Sequence, residues 1–326
     1  MSTRVENQER LTRGIKMAFV DQNRKLDRLI FASSLLPDKA SERRFLLLVE
    51  SIRSFAESLS QAPIWCFTLG DERDLSETAR DRLSALNTTF IHFETETEIP
   101  RFPFMWKALL SAQAESIAQG KTDVIVWLDT DTIVLQEPKR FLLQDGKSLG
   151  CRPVHHTIIG SRYDDPLNLF WTQIYRYCRV PENRIFPMTP HVEGNRIRPY
   201  FNAGLLAVRP EKRLLQVWRD NFLEIYKATE FQELYEEDKR YTVFMHQAVL
   251  AGTILSALQT NEIEELPPTY NYPLHLYWED ITDHRPSTLE ELITFRYEDF
   301  FESLEWREKI PAKEQFKQWI AERLLQ

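Results

Sequence analysis

The chain reads Val124-Ile125-Val126-Trp127-Leu128-Asp129-Thr130-Asp131-Thr132-Ile133-Val134-Leu135 across its middle. Five consecutive apolar residues, three of them β-branched, are the pattern of a parallel strand covered on both faces. Two carboxylates, two residues apart, follow where that run ends. In an open α/β sheet ligands bind in the crevice beyond the carboxyl ends of the strands, so both groups are expected to face it. Acids held that close repel one another and resist ionisation unless a cation lies with them. Mg²⁺ or Mn²⁺ takes carboxylate oxygens and completes its shell with phosphate oxygens from a substrate. A diphosphate leaving group is stabilised there when its bond breaks. Asp-x-Asp also occurs simply as a turn or a cap after a strand, so the pair takes its meaning from its neighbours.

Leu29-Ile30-Phe31-Ala32, ending in Ser33-Ser34, suits a buried first strand and its loop. Phe45 to Phe55 has helical spacing, and Ile64-Trp65-Cys66-Phe67-Thr68 and Thr89-Phe90-Ile91-His92-Phe93 read as two more strands. Phe102 to Gln119 reads as a helix stopped by Gly120. Strand-like and helix-like segments alternate to residue 135, the pattern of a doubly wound α/β sheet. Beyond it Tyr200 to Val208 is strand-like, Pro210 opens a helix carrying Leu214, Trp218, Phe222 and Ile225, and Tyr241 to Leu258 is another helix. From 286 the tail is expected to be helical, with Phe300, Phe301, Leu304 and Trp306 as its apolar face. Residues 1–28 read as an N-terminal helical arm, 29–280 as the main domain, and 281–326 as a helical extension packed on it.

With 43% hydrophobic and 12% aromatic residues, a chain of 326 can bury a core and is not disordered. Its 41 Lys and Arg against 49 Asp and Glu leave a net charge of −8 with no dense basic run, so nucleic acid is not an expected partner. Cys66, Cys151 and Cys178 form no CxxC pair and are expected as free thiols in a reducing compartment. Arg4, Glu6, Glu9, Arg10 and Arg13 leave no room for an apolar leader. No apolar run approaches the roughly 18 residues that cross a bilayer. No transmembrane segment and a cytoplasmic location are the expectation.

Asp129-Thr130-Asp131 is followed by Tyr200-Phe201-Asn202-Ala203-Gly204-Leu205-Leu206, and the pairing is more specific than either stretch alone. Together with Ile30 to Ser34, and with Lys107 in Phe104-Met105-Trp106-Lys107-Ala108-Leu109, they resemble a GT-A type nucleotide-diphospho-sugar transferase. The pattern is that of glycosyltransferase family 8, which includes glycogenin and lipopolysaccharide galactosyltransferases. The resemblance implies an α/β fold: a Rossmann-type mixed, mostly parallel sheet flanked by helices, with a helical C-terminal tail. It also implies metal-dependent, retaining transfer of a sugar from a UDP- or GDP-type nucleotide-diphospho-sugar to a sugar or other small-molecule acceptor. Asp129 and Asp131 would then hold Mn²⁺ or Mg²⁺, while Ala32, Ser33, Lys107, Thr130, Asn202 and Ala203 bind the donor. Asn202 and Gln247 would act at the reacting sugar. Gln247 lies in His246-Gln247-Ala248 where the family often has Asp-Gln-Asp, so both flanking acids are missing. The family's third metal ligand is usually a His before Tyr or Phe. The match here is Phe295-Arg296-Tyr297, and an arginine cannot bind a cation; His275, His284 or water are left for that place, with His275 preferred.

His155 and His156, about twenty residues past the metal strand, read either as acceptor contacts or as packed histidines. Neighbours in a strand point to opposite faces, so at most one is expected to enter a site. Trp127, Trp171, Trp218 and Trp306 read as core. Tyr270, Tyr272, Tyr277 and Trp278 either stack on a hexose or pack. Retaining chemistry needs no dedicated base, because the leaving phosphate takes the acceptor proton; an inverting enzyme would need one, with Glu193 or Asp164 in range. Two other functions fit the carboxylate pair. One is a haloacid-dehalogenase-type phosphatase with Asp129 as nucleophile, although that motif usually opens its domain and wants Thr or Val where Ile133 stands. The other is a catalytically silent nucleotide-sugar binding protein.

Overall fold

The sheet that carries the site is assembled from strands whose side chains alternate between two cores. In the computed structural model, which describes residues 27–36, 38–69, 75–93 and 102–324, strand β4 (Thr122–Leu128) sends Ile125 and Trp127 into one apolar cluster. Val124, Val126 and Leu128 enter the other. Strand β1 (Asp27–Leu35) divides likewise, Ile30 and Ala32 against Leu29 and Phe31. Period-two alternation with both faces apolar is why these stretches are strands covered by helices on each side.

Helix α1 (Lys39–Phe55), β2 (Ile64–Thr68), α2 (Glu77–Ala85), β3 (Thr88–His92) and α3 (Met105–Ala118) lead into β4. Asp38 caps α1 by accepting from Ser41 N–H at 2.9 Å, and Ser76 caps α2. β1, β2, β3 and β4 pair in parallel. Strands β6 (Leu149–Pro153), β7 (Phe201–Val208) and β8 (Ile263–Glu265) complete a seven-stranded sheet of order β3-β2-β1-β4-β7-β6-β8, with β7 antiparallel to β4 and β6. The expected mixed, mostly parallel α/β sheet flanked by helices is the fold observed. The chain passes from the β1 side to the β4 side after β3, so the gap between the β1 and β4 tips is the switch point where such sheets bind ligands. Because β7 runs the other way, its first residues lie beside the last residues of β4.

Helices α4 (Leu169–Cys178), α5 (Leu214–Ile225), α6 (Thr229–Glu237) and α7 (Lys239–Ala257) cover one face. Trp171 and Trp218 are buried within it, as expected. Glu115 on α3 accepts from Leu215 and Gln216 N–H at 3.1 and 2.9 Å, fixing α5 by its positive end.

A second, three-stranded sheet joins β5 (Thr132–Val134), β10 (Thr294–Arg296) and β9 (Tyr272–Pro273), in the order β5-β10-β9. The tail expected to be helical from residue 286 thus contributes a strand first. Short helix α8 (Trp306–Lys309) and α9 (Glu314–Leu324) follow, with Phe295, Phe316 and Ile320 packed against Leu47 of α1. Leu304, expected on the apolar face, is fully exposed, and Trp306 is half-buried. Helix α2 had no periodicity strong enough to announce it. Most of the expected N-terminal helix lies outside the described residues. Cys66, Cys151 and Cys178 are unpaired and buried, and no helix among the described residues is long and apolar enough to cross a membrane.

Candidate functional site

At the β4 tip Asp129 donates its N–H to the Gly204 carbonyl on β7, 2.8 Å, and Thr132 N–H closes a turn on the Asp129 carbonyl, 3.2 Å. Both carboxylates are buried in the turn. Antiparallel pairing of β5 with β10 sets Arg296 opposite Thr132, and Tyr297 N–H donates to the Asp131 carbonyl at 3.0 Å. The Arg296 guanidinium therefore spans the two acids. Its Nη2 lies 2.7 Å from Asp131 Oδ2, its Nε 3.2 Å from Asp131 Oδ1, and its Nη1 3.1 Å from Asp129 Oδ2. Lys107, on α3, brings Nζ to 2.6 Å from the same Asp129 oxygen. Two carboxylates thus meet two cations inside the protein, and their formal charges cancel.

Burial works to raise the Asp131 carboxyl, but Arg296 beside it prevails and holds it below its ordinary value. Burial also opposes the Arg296 charge, and Asp131 with Asp129 more than offsets it. Asp129 Oδ1 is buried with no protein partner, as is Ser33 Oγ at the tip of β1.

Gly204 is required by this crowding: a Cβ there would stand 2.5 Å from Arg296 Nη1 and 2.7 Å from Asp129 Oδ2. Asn202 Oδ1 accepts from Gly204 N–H at 2.8 Å, and Gln247 on α7 accepts from Ala203 N–H at 3.0 Å where the β6–β7 register slips. Each of these side chains therefore grips the start of β7.

A cavity of about 340 Å³ opens beside the turn, and Lys107, Asn202, Gln247, His275 and Arg296 line it. His155 and His156 both reach it, against the expectation that only one could: the chain has left β6 and bends at these residues, so strand alternation does not apply. His155 Nε2 is 3.2 Å from the Asn271 carbonyl, and burial followed by the Arg296 charge keeps its pKa well below the usual value. His156 Nδ1 is 3.2 Å from Glu193, which is thereby engaged, while Asp164 lies exposed near Arg196. Backbone strain gathers here as well. Phe104, Ile158 and Glu298 line the cavity at positive φ, 56°, 45° and 47°, and φ > 0 is a genuine outlier for a β-branched residue such as Ile158. Of the aromatic cluster, Tyr270, Tyr272 and Tyr277 are packed, and only Trp278 is exposed. His284 is exposed too.

Among the described residues, one group brings three metal-ligating side chains within 4.8 Å of one another: His155, His275 and Glu298. This trio is where the chain could hold a metal ion. His275 thus stands in a group with His155 and Glu298. The carboxylate turn itself fits a divalent ion poorly, since three of its four oxygens already face cationic nitrogens. By sequence Arg296 stands only where the family-8 pattern has a metal ligand. The signal for its presence in the site was already there, in an arginine occupying a ligand's place beside two acids.

The chain is similar to the glycosyltransferase GlyE of Streptococcus pneumoniae TIGR4, at 13% identity over 93% of this chain and 61% of that one, TM-score 0.45. It is similar also to the galactosyltransferase LgtC, solved with donor and acceptor sugar analogues, at 16% identity over 87% and 100%, TM-score 0.45. A third is the bifunctional glycosyltransferase WbbM, at 10% identity over 93% and 52%, TM-score 0.45. The chain therefore spans about 61% of the length of GlyE and about half that of WbbM. No curated protein matches. Residues 39–257, more than half of the chain, match the Rhodobacterales glycosyltransferase domain, and the chain belongs to that family of glycosyltransferases.

Proposed function

We propose that the cavity beside the Asp129–Asp131 turn takes a nucleotide-diphospho-sugar, of UDP or GDP type, and transfers its sugar to a sugar or other small-molecule acceptor. The observation that carries this reading is the meeting of Lys107 and Arg296 at one wall of a cavity that Asn202 and Gln247 also line. A departing nucleoside diphosphate gathers negative charge on its bridging oxygen, and positioned cations and N–H groups lower the barrier by stabilising it. Ser33, with its unpartnered hydroxyl, and Thr130 at the switch point face the nucleoside and phosphates, and Ala32, whose methyl packs in the core, offers its backbone. Asn202, Ala203 and Gln247 orient the donor sugar, and His155 and His156 meet the acceptor from the opposite wall. Retention of configuration and use of Mn²⁺ or Mg²⁺ are what the family-8 pattern implies. Membership of a glycosyltransferase family leaves the phosphatase reading without support.

A screen of nucleotide-diphospho-sugars by thermal shift, followed by measurement of released nucleoside diphosphate, tests the proposal. One UDP- or GDP-sugar is expected to raise the melting midpoint by mass action. Asn202→Ala is expected to slow nucleotide release by about a hundredfold, the usual cost of losing one positioned polar contact to the reacting group. A chain that answers to none of these donors, alone or with Mn²⁺, does not bind them.

A further inference from the structure

The four charged groups of the turn already sum to zero without an added ion. Asp129 Oδ2 faces both Lys107 and Arg296, and both Asp131 oxygens face Arg296, which leaves only Asp129 Oδ1 open. One free oxygen is the least that a divalent ion completing its shell with water and phosphate takes from a protein, and the other three are held by cations. Before a diphosphate arrives, a divalent cation would add two positive charges to a turn whose four groups already balance, with only Glu298, 3.9 Å from Arg296 Nη2, beside them, or would have to expel the guanidinium. Expulsion is opposed by the backbone, because β10 is fixed to β5 with Arg296 directly across from Thr132. The guanidinium also has what a diphosphate needs: it stays charged, and it offers five N–H donors in a planar fork that suits phosphate as well as carboxylate. Its side chain is 13% exposed and lines the cavity.

Resting on the nucleotide-sugar reading of that cavity, we infer that Arg296 takes the place of a divalent ion at the Asp129–Asp131 turn. The donor's diphosphate is then held there by guanidinium and ammonium groups with no metal between them. The sequence difference that removed a metal ligand is the same one that supplied the missing charge.

The experiment uses the full chain stripped with EDTA. UDP and GDP are titrated by calorimetry with and without Mn²⁺, and Mn²⁺ alone is titrated by electron paramagnetic resonance. For the wild type, the nucleotide dissociation constant is expected to change less than about twofold between EDTA and Mn²⁺. Arg296→His, which restores a ligand at this position, is expected to lose nucleotide binding in EDTA and to regain about tenfold or more with Mn²⁺. It should also take up one Mn²⁺ that Arg296→His/Asp131→Asn does not. Wild-type binding that disappears in EDTA and returns with Mn²⁺ overturns the inference, and this arm stands even if the variants fail to fold. Should no nucleotide bind under any condition, the donor reading fails separately. The Mn²⁺ titration still decides the charge assignment: wild-type uptake at the turn, abolished by Asp131→Asn, overturns it.

Discussion

The cavity has two walls of different origin. One is the strand side, with Asn202 of β7 in the lining and Asp129, beyond β4, paired to the lining residues Lys107 and Arg296, and its residues follow from period-two strands and a switch point. The other is made of short, irregular pieces: the bend at His155 and His156, the β9 segment leading to His275, and the end of β10 with Arg296 and Glu298. The strand side carries the Asp129–Asp131 pair. The irregular wall carries Arg296, Glu298 and two buried imidazoles, His155 and His275, whose pKa values burial lowers first and the Arg296 charge second. Arg296 is the charged link between the two, beside the Asn202–His155 contact at 3.5 Å, so the site's charge balance depends on a three-residue strand far along the chain.

The largest break in that comparison is removal of the join. Arg296→Met leaves two buried carboxylates with only Lys107 between them, and losing one partner of a buried ion pair costs about 3–5 kcal/mol. Urea unfolding is expected to show that loss, with Arg296→Lys intermediate. A variant as stable as the wild type would mean that the carboxylates are solvated and that the walls are not coupled.

Acid tests a buried imidazole outside the cavity lining. His191, 3.0 Å from Arg152 on the irregular side, has its pKa pushed down to about 4 by burial and then by the Arg152 charge. A depressed folded pKa means that the unfolded chain binds the proton first. Stability is therefore complete above about pH 6.5 and falls as pH drops toward 4, by about 3 kcal/mol for this one group. Glu115, raised to about 7 chiefly by burial, contributes with the opposite sign between its ordinary value and 7. The term is therefore isolated by difference, and His191→Gln should flatten the slope of unfolding free energy between pH 6.5 and 4 relative to wild type. An unchanged slope would show that His191 protonates without leaving its place.

The strand wall was readable because each of its residues sits in a long periodic stretch. Val124 to Leu128 could hardly be anything but a buried strand, and parallel pairing then fixes where Asp129 and Ser33 lie. The irregular wall was not readable, since β5, β9 and β10 are two or three residues long and are held by tertiary packing of Phe295, Tyr272 and Phe316. No local period announces such strands. His275 lies beside His155 and Glu298, a grouping that only tertiary structure makes. Gly204 could be read as part of a motif, but its reason is visible only with Arg296 in place. Gly204→Ala probes that reason at the seam of the walls. The added methyl must displace Asp129 or Arg296, and a misplacement of about 1 Å costs on the order of a hundredfold in rate. Nucleotide release measured alongside unfolding should show rate lost far beyond stability; equal losses would make the glycine a packing residue only.

The smallest effect belongs to the outer rim of the irregular wall. Trp278 is 67% exposed while its aromatic neighbours are buried, and Tyr277 packs edge-on against it with ring centroids 5.1 Å apart. Next along the chain, Glu279 lies 3.8 Å from His156, which lines the cavity, while the Trp278 indole is outside that lining. An exposed indole that fills no core contributes little to folding, and Trp278→Ala should change unfolding free energy by less than about 0.5 kcal/mol. If its face is the platform for an acceptor ring, the substitution raises the acceptor KM severalfold and leaves donor hydrolysis untouched, because the loss is confined to binding. A fall in kcat with KM unchanged would place the indole in the closing of the site instead. No change in either would assign the acceptor to the His155 side of the cavity alone.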